Sequence, residues 1–489
     1  MDTIKRGKVG MDYLFNPKSI AVAGVSASDA GWSMGRKYIQ ALLSSNFRGR
    51  VYPLNTKGGE VYNLKIHTKV TEISDEIDFV ISCIPAHLTP QLMKECAAKG
   101  VKVVHLFTSG FGESGTEEGK RLEAELCNIS QQSGVRLLGP NCMGVYHPKI
   151  GLSYAAHFPA ESGSVAFISQ SGAYTNYFIW AGAQRGLRYS KVVSYGNAYD
   201  IDESDLLEYL TKDPETKIIG VYIEGIKDGR RFYRALKEAA KAKPVIVLKG
   251  GSTEVGAQAA SSHTGSLAGS TQVWEGLLEQ AGVTCVHNLD ELIDAVVTFL
   301  FLPKPIGRRI GSIAIGGGPT VVATDKYTSA RLILPRLPIE MQEQLRRFIG
   351  TNVGVNLSNP LDIPMKFPHS GLYPGAGLYN TFKTLALYEG IDAVVLHLFV
   401  GVSIFAPSIP EEILNPVLDT MIKVHEEIKT PIAVVIDSIR TSEGWQAAFN
   451  FQRTCSEAKI PVYYSAGSAA RAIHNFIKSY ENQKNVHVC

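Results

Sequence analysis

A single imidazole stands in a run of small residues, Ala259-Ala260-Ser261-Ser262-His263-Thr264-Gly265-Ser266-Leu267-Ala268-Gly269. Side chains this small make a mobile loop. Neutral imidazole is a good nucleophile at physiological pH: one ring nitrogen can take a phosphoryl group while the other gives its hydrogen to an orienting carboxylate. Glu224, at the carboxyl end of the apolar run KIIGVYIE, is the natural candidate for that carboxylate. A lone histidine is more often structural or exposed, and a glutamate in this position is more often a loop residue, so a third segment matters. Phe167-Ile168-Ser169-Gln170-Ser171-Gly172 runs from a strand pattern into a helix pattern and offers hydroxyls and free backbone amides to an anion at a positive helix end. A simple N-cap needs only one of the two serines. The chemistry these residues can do together is phosphoryl transfer to and from His263, with phosphate held at Ser169, Gln170, Ser171 and Gly172.

Further anion seats lie nearer the N-terminus. The first β-branched run ends in Gly24-Val25-Ser26-Ala27-Ser28, with Gly31 and Gly35 following, which suits a strand-to-helix turn whose amides hold a phosphate. A dinucleotide site favours an acid at the end of the next strand, for the ribose hydroxyls. Here that strand ends in Asn55-Thr56-Lys57-Gly58-Gly59. A lysine flanked by glycines prefers an extra phosphate over a ribose diol, so coenzyme A, with its ribose 3′-phosphate, fits better than NAD; NADP is the nearest rival and a solvated turn is the plain alternative. Ile84-Pro85-Ala86, Thr108-Ser109-Gly110-Phe111-Gly112 and Gly139-Pro140-Asn141-Cys142 each follow a predicted strand, on the edge where ligands of open α/β sheets collect. Each also reads as a turn supplied with glycine or proline.

The elements that must position these groups repeat one pattern. From Ser19 onward short β-branched runs alternate with amphipathic stretches: SIAVAGV and a helix over 35–44, RVYPLN, IDFVISCI and a helix over 87–99, VKVVHLF and a helix over 115–132. A second set runs SVAFIS, a helix from Gly172, YSKVVSY, a helix near 205–211, KIIGVYIE, a helix near 231–241, PVIVLKG, a helix, VTCV and a helix near Phe301. Pro303-Lys304-Pro305-Ile306-Gly307 stiffens the backbone and then frees it, which marks a domain boundary. A third set follows with RIGSIAIGGG, a helix after Pro319, DAVVLHLFVG, a helix near 411–428, PIAVVID, a helix, PVYYS and a helix to about Tyr480. The endings AGVTCVHNLDELIDAV and AKIPVYYSAGSAARAI correspond, so the second and third sets read as a degenerate duplication. In the third, Gly316-Gly317-Gly318-Pro319 stands in the place of 169–172, and Ser438-Ile439-Arg440-Thr441 follows PIAVVID without a histidine loop. That copy lacks the phosphoryl chemistry, and its Asn359-Pro360-Leu361-Asp362 turn is unassigned.

Composition excludes several other classes. The 489 residues suit about three domains, the formal charge is +3 and the basic residues are scattered, which leaves no nucleic-acid footprint. Seven cysteines without a Cys-x-x-Cys spacing argue against a disulfide framework and a zinc site, and fit a reducing cytoplasm; no metal ligands are assigned. The cationic start at Lys5, Arg6 and Lys8 precedes no apolar stretch of signal-peptide length, and the apolar run 292–302 is broken by Asp294, so no membrane segment is expected.

Six motifs, Gly24-x-Ser26, Asn55-x-Lys57-Gly58, Gly139-Pro140-Asn141-Cys142, Ser169-Gln170-Ser171-Gly172, Glu224-Gly225 and Ser262-His263-Thr264-Gly265, stand in the order of one family. The chain resembles the α subunit of ADP-forming acyl-CoA synthetases, relatives of succinyl-CoA synthetase, over nearly its whole length. The resemblance implies an α/β fold with an N-terminal Rossmann-like CoA-binding domain (1–148) followed by two flavodoxin-like parallel-sheet domains, a phosphohistidine-bearing one (149–302) and a ligase one (308–489). It implies interconversion of acyl-CoA, ADP and phosphate with free acid, CoA and ATP, with His263 and Glu224 catalytic and Gly24, Ser26, Lys57, Ile84, Pro85, Thr108, Ser109 and Asn141 on CoA. It also implies that ATP or ADP with Mg2+ is bound mainly by an ATP-grasp β subunit on a separate chain, in a heterotetramer, the chain alone being a homodimer. The family commonly has alanine where Thr108 stands and small aliphatic residues where Tyr174, Asn176 and Tyr177 stand, so the acyl group meets a different surface here, with Asn176 as its candidate contact. A non-catalytic CoA-binding regulatory or scaffold protein of the same fold is the alternative, and an NADP oxidoreductase the third reading.

Overall fold

The computed structural model describes residues 10–28, 31–256, 258, 271–303, 307–314, 317–349, 356–363, 375–399, 411–437, 439 and 441–486. The first β-branched run becomes β1 (Ser19–Ala23), every residue of which is buried, as a central parallel strand covered on both faces requires. Around it lie β2 (Arg50–Leu54), the hairpin β3 (Gly59–Val61) and β4 (Leu64–Ile66), β5 (Phe79–Ser82), β6 (Val103–Leu106) and β7 (Arg136–Leu138). The main sheet is parallel in the order β2-β1-β5-β6-β7, so the chain leaves β1 in one direction and returns in the other, opening a crevice at the carboxyl ends of β1 and β5.

The covering helices start where local chemistry starts them. Helix α1 is a single turn, Asp12–Phe15. Helix α2 (Met34–Ser44) is capped by the Ser33 hydroxyl, which accepts from the Arg36 amide. Helix α3 (Thr89–Lys99) ends on a left-handed Gly100, and α4 (Glu117–Ser133) is capped by Thr116 with two glutamates in its first turn. That cap moves the start of α4 two residues beyond the position expected from periodicity.

The second sheet holds β8 (Gly144–Tyr146), β9 (Ser162–Ser169), β10 (Tyr189–Ser194), β11 (Ile218–Ile223), β12 (Val245–Lys249) and β13 (Thr284–Val286), in the order β13-β12-β11-β9-β10-β8. All pairs are parallel except β8 with β10. Helices α5 (Gly172–Gln184), α6 (Glu203–Lys212) and α7 (Gly229–Ala242) pack on it. Its crevice lies between β9 and β11, the strands that end in Ser169 and just before Glu224. The two sheets are joined by the short link between β7 and β8, which is Gly139-Pro140-Asn141-Cys142-Met143. That link is pinned by the loop after β10, since Asn197 N donates to Pro140 O and Tyr199 N to Gly139 O, both at 3.0 Å. The Glu113 carboxylate adds to the tie by accepting from Asn197 Nδ2 at 2.8 Å and Gly110 N at 2.7 Å. Lys191, fully buried on β10, is neutralised by Asp213 at 2.9 Å and Glu215 at 2.8 Å.

The chain divides into two compact units, Met1–Ala183 with Leu187–Leu289, and Gln184–Gly186 with Asp290–Cys489. The second unit carries β14 (Ile310–Ala314), β15 (Leu361–Asp362), β16 (Ala393–Phe399), β17 (Ile432–Asp437) and β18 (Val462–Tyr463), parallel in the order β15-β14-β16-β17-β18. With β8 set aside, this is the strand order of the second sheet, and the helix Gly317–Ser329 follows β14 as α5 follows β9. The unassigned Asn359 turn proves structural, because its buried carboxamide accepts from Ser312 N at 3.0 Å and donates to Ile310 O at 2.9 Å and Pro335 O at 3.0 Å. Asp294, which interrupts the apolar run of the helix Leu289–Phe301, is buried and paired with Arg185 at 2.9 Å. Among the described residues no helix is long and apolar enough to cross a membrane.

Candidate functional site

The carboxyl ends of β1, β5 and β6, the link after β7 and the N-terminus of α5 surround one cleft of about 950 Å³. Of the residues expected at a site, Gly24, Ser26, Ile84, Pro85, Thr108, Ser109, Asn141, Gln170, Ser171, Gly172 and Asn176 line it. Lys57 does not. It stands exposed on the turn after β2, a turn fixed by Asn55, whose side chain accepts from Lys57 N at 3.0 Å and donates to Val25 O at 2.9 Å. His263 and its small-residue loop lie outside the described residues.

Gly24 is required by the backbone. Its φ is +89°, and a Cβ would stand 2.8 Å from Cys83 O; a Cβ on Gly35 would stand 2.6 Å from Gly24 O. The two glycines let the β1 turn, the β5 exit and α2 approach one another, so that backbone rather than side chains faces the cleft. Thr108 Oγ1 donates to Ile84 O at 2.7 Å and Asn141 N to Thr108 O at 3.1 Å, which strings the exits of β5, β6 and β7 together along one wall. Behind that wall His105 is fully buried, and burial pulls its pKa down to about 4. The ring is therefore neutral, with Nε2 donating to Cys142 O at 3.0 Å. Burial likewise pushes the Cys83 thiol up to about 12, so this lining cysteine is unreactive at neutral pH.

On the facing wall, the turn between β9 and α5 folds on its own hydroxyls. Ser169 Oγ accepts from Ser171 N at 3.1 Å and donates to Ser171 O at 2.8 Å, while Ser171 Oγ accepts from Tyr174 N at 3.3 Å. Ser169 is wholly buried and shapes the turn from behind; Ser171 and Gly172 form the cleft wall, where the first amides of α5 have no partner within the helix. Gln170 reaches the other way. Its Oε1 accepts from the amides of Glu224 and Gly225, the second at 3.0 Å, and its Nε2 donates to Gly225 O at 2.9 Å. The carboxamide thus clasps the β11 exit to the head of α5 across the crevice of the second sheet. Glu224 is buried and its Oε1 accepts from Tyr222 OH at 3.1 Å, with Tyr222 stacked on Tyr174 at 4.3 Å.

One turn along α5, Asn176 faces the same cleft, and its Oδ1 accepts from Tyr154 OH at 3.0 Å. Tyr154 is buried against Phe158, ring centroids 5.0 Å apart, and burial raises its pKa well above the usual tyrosine value, so the phenol is a donor at any physiological pH. Turning the amide over would strip that buried hydroxyl of its acceptor, at a cost of about 1–3 kcal/mol.

Sequence reasoning missed Trp32, Ser33, Met34, Cys83, Phe107, Met143 and Ala173 in the lining. Trp32 is 77% exposed, with Lys37 Nζ 3.7 Å from its ring centroid. Its place in the glycine-rich turn after β1 was the available signal. Met143 reaches the cleft only because the chain passes directly from one sheet to the next.

Residues 18–148 match the CoA binding domain and residues 162–299 the succinyl-CoA ligase like flavodoxin domain. The chain is 39% identical over 385 residues to the α subunit of an ADP-forming acetate–CoA ligase (II) of Pyrococcus furiosus, a match covering 79% of this chain and 81% of that one. It is 38% identical over 355 residues to the ADP-forming acetate–CoA ligase of Methanocaldococcus jannaschii, which covers 72% of this chain and 49% of that longer one. Among solved structures, a dinucleotide-forming acetyl-coenzyme A synthetase 1 of Candidatus Korarchaeum cryptofilum, in complex with phosphate and ADP, superposes with a TM-score of 0.82 at 30% identity, over 98% of both chains. The chain belongs to the family of ADP-forming acyl-CoA ligase α subunits, as its motif order implied.

Proposed function

We propose that this chain interconverts acyl-CoA, ADP and phosphate with a carboxylic acid, CoA and ATP through an acyl phosphate and a phosphohistidine at His263. Phosphate oxygen attacks the thioester carbonyl, the C–S bond breaks and CoA leaves as its thiol. A ring nitrogen of His263 then attacks the phosphorus of the acyl phosphate, releasing the free carboxylate. The phosphoryl group passes from His263 to ADP, which regenerates the imidazole and forms ATP.

The carrying observation is the cleft itself: the carboxyl ends of one sheet face the N-terminus of α5 in the next, with Glu224 clasped to that N-terminus through Gln170. The strand-end backbone at Gly24, Ser26, Ile84, Pro85, Thr108, Ser109 and Asn141 receives CoA, and Lys57 at the rim meets its 3′-phosphate. The Gly172 amide and the Ser171 hydroxyl hold phosphate where charge develops during transfer. Glu224, oriented by Tyr222, takes the imidazole hydrogen and stabilises the phosphohistidine. Asn176 contacts the acyl group.

The nucleotide with Mg2+ belongs to an ATP-grasp β subunit on a separate chain, in a heterotetramer, with this chain a homodimer when alone. Support comes from the subunit naming of the Pyrococcus relative and from the Methanocaldococcus relative being about twice as long as the matched portion. The setting is the cytoplasm, in keeping with six free cysteines among the described residues. The test is to mix the chain with its ATP-grasp partner and γ-labelled ATP. An acid-labile, base-stable phosphate forms on the chain and is abolished by His263→Ala; labelling that survives the substitution refutes His263 as the carrier.

A further inference from the structure

Ser109 lines the cleft between two fixed neighbours. On one side Thr108 is tied to the exits of β5 and β7, its hydroxyl to Ile84 O and its carbonyl to Asn141 N. On the other side the Glu113 carboxylate turns back on the same loop, where its Oε1 accepts from Gly110 N at 2.7 Å and from Phe111 N at 3.2 Å. Its second oxygen serves the other sheet. Oε2 accepts from Asn197 Nδ2 at 2.8 Å and from Tyr199 OH at 3.4 Å, both on the loop between β10 and α6. Tyr199 OH accepts in turn from Gly112 N at 3.0 Å.

The loop that receives this tie is itself held still. Asn197 and Tyr199 give their amides to Pro140 and Gly139 of the inter-sheet link, and Lys227 Nζ donates to Asn197 O at 3.1 Å and Ala198 O at 2.9 Å. Ala198 has a φ of +52°, a left-handed conformation that an alanine keeps only where its surroundings over-determine it. Asn197 is buried, so its bond to the Glu113 carboxylate is charge-assisted and sheltered from bulk water.

We propose that Glu113 is a positioning residue for coenzyme A: through Gly110 it sets Ser109 in the cleft wall, and through Asn197 it fixes that wall to the second sheet, whose α5 forms the facing wall. This rests on the reading that the strand ends of the first sheet receive CoA. Glu113 is not among the lining residues, so it acts through the groups it holds. A turn with glycine at both 110 and 112 has much conformational freedom to lose, and the carboxylate removes that freedom before the ligand arrives. The tie to Asn197 keeps the turn from moving away from the second sheet as a body.

Asn197→Asp sets a second carboxylate against Glu113 in nearly the same volume. Adding Glu113→Gln to it restores one donor facing one acceptor, while the remaining side-chain oxygen still accepts from the Gly110 and Phe111 amides. Calorimetric titration of the full-length chain with CoA gives an affinity about fivefold or more weaker in Asn197→Asp, and one within about twofold of the native chain in the paired variant. Glu113→Gln alone loses less, because Asn197 can turn its amide over to meet it. Thermal unfolding of the same preparations separates positioning from stability, since a tie that only supports the fold moves Tm and leaves the affinity of the folded chain unchanged. Should Asn197→Asp not fold, Asn197→Ala, which removes the donor without adding a charge, is compared with the native chain in its place. Native affinity in a folded single variant at Asn197, or a loss that the paired variant does not recover, overturns the role of Glu113 while CoA binding stands. Failure of the native chain to bind CoA at all overturns the reading of the cleft, and the positioning role with it.

Discussion

Replacing Gln170 with leucine keeps nearly the same volume and removes only the clasp between α5 and the β11 exit. The substitution leaves the Glu224 and Gly225 amides and the Gly225 carbonyl without their present partner, in a place where Gln170 is 8% exposed. A buried backbone group without a partner costs about 1–3 kcal/mol, and burial of the leucine offsets part of that, so the net loss is about 3 kcal/mol. For a unit of this size that corresponds to a fall in Tm of roughly 5 °C. The functional loss is larger than the loss of stability explains, because Glu224 drifts from the amides it must work beside, and a displacement of about 1 Å can cost on the order of a hundredfold in rate. Thermal unfolding measures the first effect. Amide hydrogen exchange over residues 222–227 measures the cause, with the Glu224 and Gly225 amides exchanging faster while β9 stays protected. Gln170→Glu is intermediate, since a carboxylate can accept from both amides but cannot donate to Gly225 O. Unchanged exchange at 224 and 225 in Gln170→Leu, together with an unchanged Tm, refutes the clasp.

Two further outcomes follow from the same geometry. Lys57→Ala weakens CoA about tenfold, the worth of one charge-assisted contact, and leaves dephospho-CoA, which lacks the 3′-phosphate, unaffected; equal losses for both ligands in a binding titration remove Lys57 from that role. Glu203, at the first turn of α6, has its carboxyl pushed from the usual 4.5 up to about 8 by burial and then by the neighbouring Asp202 charge. In the fold it stays protonated while the unfolded chain ionises, so the native state binds the extra proton and stability falls as pH rises from about 4.5 to 8. Glu203→Gln flattens that fall, so its Tm gains on the native chain between pH 5 and pH 8; parallel curves refute the shift.

Much of the cleft was legible in sequence because its parts are local. A strand that ends in Gly24 and turns into a capped helix is written in β-branched residues, a glycine needing φ of +89° and Ser33. The Ser169 to Gly172 turn is likewise written in its own hydroxyls. Less visible was β8, three residues long and held only by antiparallel pairing with β10, too short to carry a period. The Asn359 turn was silent for another reason: its side chain serves the backbone of β14, distant in sequence and adjacent in space.

The amino-acid sequence by itself determined the alternation of strands and helices, the positions of the turns that line the cleft and the family, since each depends on residues within a few positions of one another. Tertiary structure alone decided which turns share a cleft. The order β11-β9-β10 brings Glu224 within reach of a side chain 54 residues earlier, and the short link out of β7 sets the strand ends of one sheet against α5 of the next. It also decided the surroundings of Asn176, whose Oδ1 accepts from the Tyr154 hydroxyl, itself fixed by packing against Phe158. Hydrogen bonds of this kind depend on distance and direction in space, which sequence separation does not encode.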